Sequence, residues 1–240
     1  MTDTKQTLQD RVILITGAGD GLGRATALAC ARQGAHVVLL GEVIHPLEQV
    51  YDQIESETGT RPTIYPLNLE GASPKDYDEM AQKLEKEYGH LDGLVHNAAI
   101  LGALSPVQSM DIELWYRTIQ INLNAPFMMT QACLGLLAAS DDASIVFVSD
   151  DVGRKSRAYW GAYSVSKFGL EALMQMLADE LETNTNIRAN SYNPGPLRTR
   201  MRTLAYPGEI PENNPLPEDK VEELLFLLGP DSKDINGQAR

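Results

Sequence analysis

Short apolar runs without polar alternation recur along this chain, and longer segments with helical spacing separate them. The runs lie at residues 12–15, 37–40, 64–67, 91–95 and 145–148. Strands that are buried on both faces of a sheet have this continuous apolar character. The separating segments include residues 22–33, 47–57 and 76–88. This alternation predicts an α/β fold in which right-handed crossovers join the strands of a doubly wound, Rossmann-type parallel sheet.

The length and charge of the chain limit what this fold can do. A chain of 240 residues fits one domain of six to seven strands with helices on both faces, so we predict a single domain over residues 1–240. The formal charge of -13 and the lack of a basic run disfavour nucleic acid and anionic membrane surfaces as partners. A small-molecule substrate is the expected partner.

The first ten residues and the two cysteines bear on the compartment. Residues 1–10 are polar, which predicts a flexible tail, and they lack the basic start and apolar stretch of a secretory signal. No apolar run is long enough to span a bilayer, so a cytoplasmic location is the default expectation. Cys30 and Cys133 lie in apolar helical patterns, which predicts buried reduced thiols and offers nothing for a disulfide or a metal site.

Two long segments and one polar stretch predict surfaces of special use. Residues 111–137 and 162–182 have helical spacing and are rich in Leu, Met and Ala. Faces of this kind predict a subunit interface, and hence a homodimer or homotetramer, with core packing inside one chain as the alternative. Residues 195–217 are polar and rich in proline, which is typical of a mobile flap over a substrate.

A glycine-rich turn joins the first predicted strand directly to the first predicted helix. The sequence there is Thr16-Gly-Ala-Gly-Asp-Gly-Leu-Gly23. Glycines let the backbone turn tightly and approach a pyrophosphate, whose charge is met by the amides and partial positive charge of the helix end. We expect backbone contacts with a dinucleotide at Gly17, Gly21 and Gly23.

The spacing of these glycines, with the long gap first and Thr16 in front, resembles the short-chain dehydrogenase/reductase family. The resemblance continues in His96-Asn97-Ala98-Ala99, in Asn122, in Tyr163-Ser-Val-Ser-Lys167 and in Asn193-Pro194-Gly195, in the family's order. The stretch from residue 152 to 163 is similar to one uncharacterised bacterial branch of that family. The resemblance implies an NAD(P)-binding oxidoreductase that transfers hydride between nicotinamide and an alcohol or carbonyl substrate.

The resemblance also implies which residues hold the cofactor. Asn68 falls where the family often has an Asp beside the adenine ring, and Lys167 falls where a lysine holds the nicotinamide ribose. The full set implied is Thr16, Gly17, Gly19, Asp20, Gly21, Leu22, Gly23, Glu42, Asn68, Leu69, Asn97, Ala98, Ala99, Tyr163, Lys167, Pro194 and Gly195.

The choice between NAD and NADP depends on Asp20 and on the end of the second strand, Gly41-Glu42. Family members that use NADP resemble one another in having a basic residue at one or both places, and NAD users have an Asp at the position of Gly41. Two carboxylates would repel a 2'-phosphate, whereas a carboxylate accepts hydrogen bonds from a free 2'-hydroxyl. The sequence therefore favours NAD modestly over NADP. The alternative for Glu42 is an exposed charge at a helix entry.

Tyr163 and Lys167 lie four residues apart on a predicted helix, so both side chains project from one face. A nearby ammonium stabilises a phenolate and lowers the pKa of a tyrosine toward neutrality. By resemblance, Tyr163 is the general acid/base and Asn122 completes a water-linked proton path.

Asp150 stands where the family has its catalytic serine, which donates a hydrogen bond to the substrate carbonyl. An ionised carboxylate about 4 Å from the phenolic oxygen opposes phenolate by about 4 kcal/mol at an effective dielectric near 20. Three arrangements are open. In the first, Asp150 is protonated and donates a hydrogen bond, as an aspartic acid in an apolar oxyanion hole can. In the second, Asp150 points away and leaves donation to Ser149 or a water, and in the third the site binds cofactor without efficient turnover. In the first case activity shifts toward acid pH.

Nearby cations and the last residues leave further alternatives. Five basic residues lie on two predicted loops: Arg154, Lys155, Arg157, Arg198 and Arg202. They either screen the charges of Asp150 and Asp151, hold an acidic substrate, or are solvated surface charges. Residues 235–238 resemble the family's approach to a seventh strand, which is expected to be missing or present only in part. Two functions stay open: an NAD-preferring oxidoreductase, and a dinucleotide-binding sensor or interaction subunit with little or no catalysis.

Overall fold

A computed structural model describes residues 7–240 of the chain. The predicted tail at residues 1–10 therefore lies partly outside the described residues. The part that is described is a packed turn and not a flexible tail, because Leu8 is fully buried and its amide donates to the carbonyl of Gln33 at 3.2 Å.

In the described part of the chain, one sheet of six parallel strands forms the centre, in the order β3-β2-β1-β4-β5-β6. Chain order reverses beside β1, where β2 lies on one side and β4 on the other, as in a doubly wound sheet. The predicted fold is confirmed. The strands are β1 (Val12–Thr16), β2 (His36–Gly41), β3 (Thr63–Pro66), β4 (Gly93–His96), β5 (Ala143–Val148) and β6 (Ile187–Tyr192).

Within residues 7–240, eight α-helices connect or flank these strands. They are α1 (Gly21–Arg32), α2 (Ile44–Thr58), α3 (Pro74–Tyr88), α4 (Ile112–Ile119), α5 (Ala125–Ala138), α6 (Gly161–Glu182), α7 (Arg200–Ala205) and α8 (Glu222–Leu228). The single helix predicted over residues 111–137 is divided by a π-helical turn at Gln120–Asn124. None of the helices described over residues 7–240 is both long and apolar enough to cross a membrane.

Apolar cores lie on both faces of the sheet, as the alternation of side chains along a strand requires. Ile13 and Ile15 of β1 belong to the cluster that includes residues of α1, α2 and α8. Val12 and Leu14, which point the other way, belong to the cluster that includes residues of α3, α5 and α6. The sheet is thus covered on both sides, and only its strand ends are free to form a site.

Both cysteines are buried within these two cores, as predicted. Cys30 lies on α1 and Cys133 on α5, and neither is in a disulfide. Burial raises the pKa of each thiol to about 12. Both therefore act as small apolar side chains at neutral pH.

The outer edge of the sheet beyond β6 is supplied in part by the last residues. Residues 237–240 run parallel to β6: the amide of Ser191 donates to Gln238 at 3.0 Å, and the amide of Arg240 donates back to Ser191 at 2.9 Å. The amide of Asn193 donates to Arg240 at 2.9 Å. A short seventh segment therefore covers the edge, in agreement with the partial strand that the sequence led us to expect.

Candidate active site

The glycine turn follows β1 at the carboxyl edge of the sheet, beside the point where the strand order reverses. Gly17 and Gly21 have positive φ values of 66° and 52°, which a residue with a side chain rarely adopts. A Cβ on Gly23 would lie 2.2 Å from the carbonyl oxygen of Gly17, so only glycine permits α1 to start this close to the turn. The turn therefore presents backbone, with no side chain in the way, to a group that lies against it.

Thr16 and Asn97 hold this turn from behind. The hydroxyl of Thr16 accepts hydrogen bonds from the amides of Asn97 and Ala98 at 3.0 and 2.9 Å and donates to the carbonyl of Val95. The side-chain nitrogen Nδ2 of Asn97 donates to the backbone carbonyl of Thr16 at 3.0 Å. This network links the ends of β1 and β4 and fixes the floor of the site.

A cavity of about 430 Å³ opens over the turn and extends to the Tyr163 side chain. Most of the predicted cofactor residues line it: Gly17, Asp20, Gly21, Leu22, Glu42, Asn68, Leu69, Asn97, Ala98, Ala99, Tyr163, Lys167, Pro194 and Gly195. The cavity also reaches Gly41 and Leu67 at the ends of β2 and β3. An elongated ligand with an anionic centre fits this lining, because the glycine backbone and the N-terminus of α1 lie on its wall.

Four predicted site residues lie outside the cavity wall. Thr16 is turned into the hydrogen-bond network below the turn, and Gly19 and Gly23 pack against Pro46 and against the Gly17 carbonyl. Asn122 is fully buried and clamps Ile100: it accepts from the Ile100 amide at 2.8 Å and donates to the Ile100 carbonyl at 2.9 Å. In this structure these four residues support the wall from below, and their roles toward a cofactor or a proton path stay predictions.

The Tyr163 hydroxyl donates a hydrogen bond to Oδ2 of Asp150 at 3.3 Å. The other carboxylate oxygen of Asp150 accepts from the amide of Val152 at 3.0 Å, so the carboxylate is held toward Tyr163. Asp150 therefore does not point away from Tyr163. Ser149 also lines the cavity, and its buried hydroxyl has no hydrogen-bond partner among the described residues, so it is free to donate to a ligand. Burial, then the charge of Asp150 and its hydrogen bond, raise the pKa of Tyr163 well above its usual value.

Lys167 lies below Tyr163 on the same helix. Its ammonium donates to the carbonyl of Val148 at 2.7 Å and lies 5.6 Å from the centroid of the Tyr163 ring. Burial lowers the pKa of Lys167 to about 8, although the charges of Asp150 and Glu171 oppose this. The lysine therefore faces two carboxylates, and its support of a phenolate at Tyr163 is weakened.

The predicted flap covers the tyrosine end of the cavity. Within residues 195–217, α7 lies over the site and places Met201 and Ala205 in an apolar cluster with Leu101, Trp160 and Tyr163. Tyr163 is 5% exposed as a result. Arg202 is stacked on Tyr206 at 3.8 Å and bound through two nitrogens to Glu209, which fixes the segment after α7.

Three of the remaining cations that the sequence singled out have separate partners, whereas Lys155 is exposed and its side chain has no partner among the described residues. Arg157 lies 3.9 Å from Asp151, whereas Arg154 pairs with the buried Glu171 at 3.2 Å and does not line the cavity. Arg198 is also outside the cavity and donates to the backbone of Glu212.

Sequence reasoning missed much of the tyrosine end. Wall residues there that it did not predict include Ile100, Leu101, Ile121, Trp160, Thr199, Arg200, Met201, Ala205 and Tyr206. They come from loops and from α7, whose placement over the sheet no periodicity reveals. Only the position of the flap after the Asn193-Pro194-Gly195 turn could have indicated some of them.

The fold and this site define a dinucleotide-binding Rossmann protein of the oxidoreductase type. The chain belongs to the short-chain dehydrogenase family, whose family model matches residues 11–209. This confirms the resemblance that the sequence motifs carry.

Individual relatives narrow the branch. The uncharacterised oxidoreductase YciK of Escherichia coli is 44% identical over 230 residues, covering 96% of this chain and 90% of that protein. A short chain dehydrogenase structure from Pseudomonas syringae is 54% identical with a TM-score of 0.96, covering 98% and 95% of the two chains. A Shigella flexneri structure complexed with NADP is 44% identical with a TM-score of 0.96, covering 98% of each chain. The chain is thus similar to the YciK branch, and the NADP complex gives no support to a preference for NAD.

Proposed function

We propose that this protein is an NAD(P)-dependent oxidoreductase that transfers hydride between nicotinamide and an alcohol or carbonyl substrate, with Tyr163 as general acid/base. The observation that carries the proposal is the single cavity that joins the glycine turn to the Tyr163 side chain. Glycine turns and Tyr-Lys pairs are each common alone. Their meeting in one cavity, at the switch point of a doubly wound sheet, supports a shared reaction site.

The residues on the cavity wall would hold the cofactor along its length. Glu42, Asn68 and Leu69 are positioned for the adenosine end, and Gly17 and Gly21 for the diphosphate. When bound, the nicotinamide supplies or accepts the hydride. Thr16, Asn97 and Asn122 support this wall from behind through the hydrogen bonds described above.

Tyr163 would act mainly as a proton donor, which favours carbonyl reduction. Its raised pKa keeps the phenol protonated, whereas alcohol oxidation needs a phenolate that accepts a proton. The Asp150 carboxylate accepts the Tyr163 proton in a hydrogen bond and so competes with the substrate oxygen for it. A neutral donor in place of this carboxylate would end the competition, so we expect Asp150→Ser to reduce carbonyl substrates faster.

We further propose that NAD is preferred over NADP. Asp20, Glu42 and Glu70 line the adenosine half of the cavity, and no basic residue described there faces a 2'-phosphate. The NADP complex of the Shigella relative argues the other way, so the test must be direct. Fluorescence titration with NADH and NADPH should give tighter binding of NADH, and Glu42→Arg should shift the ratio toward NADPH. Tighter NADPH binding by the unaltered protein would contradict this preference.

The substrate would enter at the apolar end of the cavity. Leu101, Trp160, Met201 and Tyr206 line that end, and residues 195–217 would act as the substrate flap. A carbonyl compound with an apolar substituent suits this wall better than a polyhydroxylated one.

A second candidate function is dinucleotide binding without efficient turnover, as a sensor or interaction subunit. The Tyr163–Asp150 hydrogen bond favours it, because it holds the proton that reduction requires. NADH and NADPH titrations followed by a panel of carbonyl compounds separate the two functions. Tight binding with no turnover between pH 5 and pH 8 would support the second function and overturn the first.

We also propose that the protein is a homodimer or homotetramer. Large apolar side chains on α4, α5 and α6 are 42–68% exposed: Ile112, Tyr116, Phe127, Val165, Phe168 and Met176. Three neighbouring helices with an apolar outer face are typical of a subunit interface. Light scattering would distinguish a dimer from a tetramer, and a monomer at micromolar concentration would contradict the proposal.

A further inference from the structure

Arg200 is the first residue of α7 and lines the same cavity wall as the glycine turn. The start of α7 lies beside that turn, because a Cβ on Gly21 would be 3.5 Å from Cγ2 of Thr199, the residue before Arg200. The flap therefore places Arg200 on the cavity wall, one residue after the point where the start of α7 approaches the turn.

The four cations on the cavity wall differ in whether they have partners. Arg157 lies near Asp151, Lys167 donates to a backbone carbonyl, and Arg202 is bound to Glu209. Arg200 is exposed, and its side chain makes no ion pair or hydrogen bond with any residue described in the range 7–240. It is the one lining cation in that range whose charge is left for a ligand.

Asp20 makes such a cation necessary at this place. Its carboxylate accepts from the amide of Gly21 at 2.7 Å and caps α1. The cap occupies one of the free amides of the helix and adds a negative charge beside them. A diphosphate at the turn would therefore find fewer free backbone N–H donors than at an uncapped helix end, and the Asp20 carboxylate would repel it. A nearby guanidinium offsets both effects.

We propose that Arg200 binds the diphosphate of the dinucleotide. This inference rests on the proposed function, since it requires that a dinucleotide occupies the cavity.

The test compares Arg200→Gln with Arg200→Lys and with Arg198→Gln by calorimetric and fluorescence titration. The ligands are NADH, ADP-ribose, which keeps the diphosphate, and adenosine, which lacks it. Arg200→Gln should weaken NADH and ADP-ribose about tenfold and leave adenosine unchanged. Arg200→Lys should retain most of the affinity. Arg198→Gln removes the same charge from the same flap, away from the cavity, and should bind as the unaltered protein does.

Salt adds a second readout. The NADH affinity of the unaltered protein should fall as ionic strength rises, and it should fall less in Arg200→Gln. Equal NADH affinity in the unaltered protein and Arg200→Gln would overturn the role of Arg200 and leave the proposed function standing. The same holds if Arg200→Gln raises only the KM for the carbonyl substrate. Equal loss for adenosine would also overturn it, because a damaged pocket and not a lost phosphate contact would be the cause. Failure of the unaltered protein to bind NADH, NADPH or ADP-ribose would instead overturn the proposed function.

Discussion

Replacing Asp150 by Ser should accelerate carbonyl reduction at neutral pH. The Tyr163 hydroxyl lies 3.3 Å from Oδ2 of Asp150, so an ionised carboxylate opposes negative charge on the phenolic oxygen. At an effective dielectric of about 20, two full charges at this distance interact by about 5 kcal/mol. Asp150 is half-buried, so solvent screens part of this, and only part of the charge has developed in the transition state. We expect a gain of about 2 to 3 kcal/mol, or roughly 30- to 150-fold in kcat.

The assay is the oxidation of NADH or NADPH by a panel of carbonyl compounds between pH 5 and pH 8. The gain should appear in kcat with each carbonyl compound of the panel that the unaltered protein reduces. Asp78→Ser on the exposed face of α3 is the matched control for the loss of one charge and should change neither rate nor profile. An Asp150→Ser variant with an unchanged rate and an unchanged pH profile would refute the reasoning.

Three further predictions concern the turn, the core and the interface. Gly23→Ala should lower the free energy of unfolding by several kcal/mol in urea, because the new Cβ would lie 2.2 Å from the Gly17 carbonyl oxygen and the backbone would have to move. A loss below about 1 kcal/mol would contradict this close approach. Burial lowers the pKa of His96 to about 3, below its unfolded value of about 6.5. As pH falls, the unfolded chain therefore takes up a proton at this residue before the folded protein does, and the free energy of unfolding decreases between these two pKa values. At pH 5.5 the loss from this group is about 1.4 kcal/mol, so His96→Asn should show a shallower fall in unfolding free energy from pH 7 to pH 5.5, and equal slopes would contradict the assignment. Phe168→Asp, at a side chain 42% exposed on α6, should shift light scattering toward monomer, whereas an unchanged oligomer would exclude this face from the interface.

The central sheet could be predicted from the sequence because its strands are continuous apolar runs. The glycine turn was equally predictable, since it follows β1 directly and the close packing of Gly23 on Gly17 leaves no other residue type for that position. Local patterns of this kind carry their own physical reason. Most of the residues predicted to hold the cofactor line the cavity.

The tyrosine end was predicted less well, because its geometry depends on packing between distant segments. Asn122 could be predicted from its place in the family's order of motifs, but its two hydrogen bonds with the backbone of Ile100 required the structure. The approach of α7 to Tyr163 through Met201 depends on how residues 195–217 fold back, for which the sequence has no periodic signal. The position of Asp150 could be predicted, but its direct bond to Tyr163 required the structure.

The most direct test of the proposed function compares the unaltered protein with Tyr163→Phe in a single experiment. NADH and NADPH binding is measured by fluorescence, and turnover is then followed with the carbonyl panel at pH 5.5. We expect the Phe variant to bind cofactor with unchanged affinity and to lose at least about 100-fold in kcat, since it keeps the ring and lacks the proton. Equal turnover by the two proteins, or tight cofactor binding with no turnover by either, would contradict the assignment of Tyr163 as the acid of a working oxidoreductase.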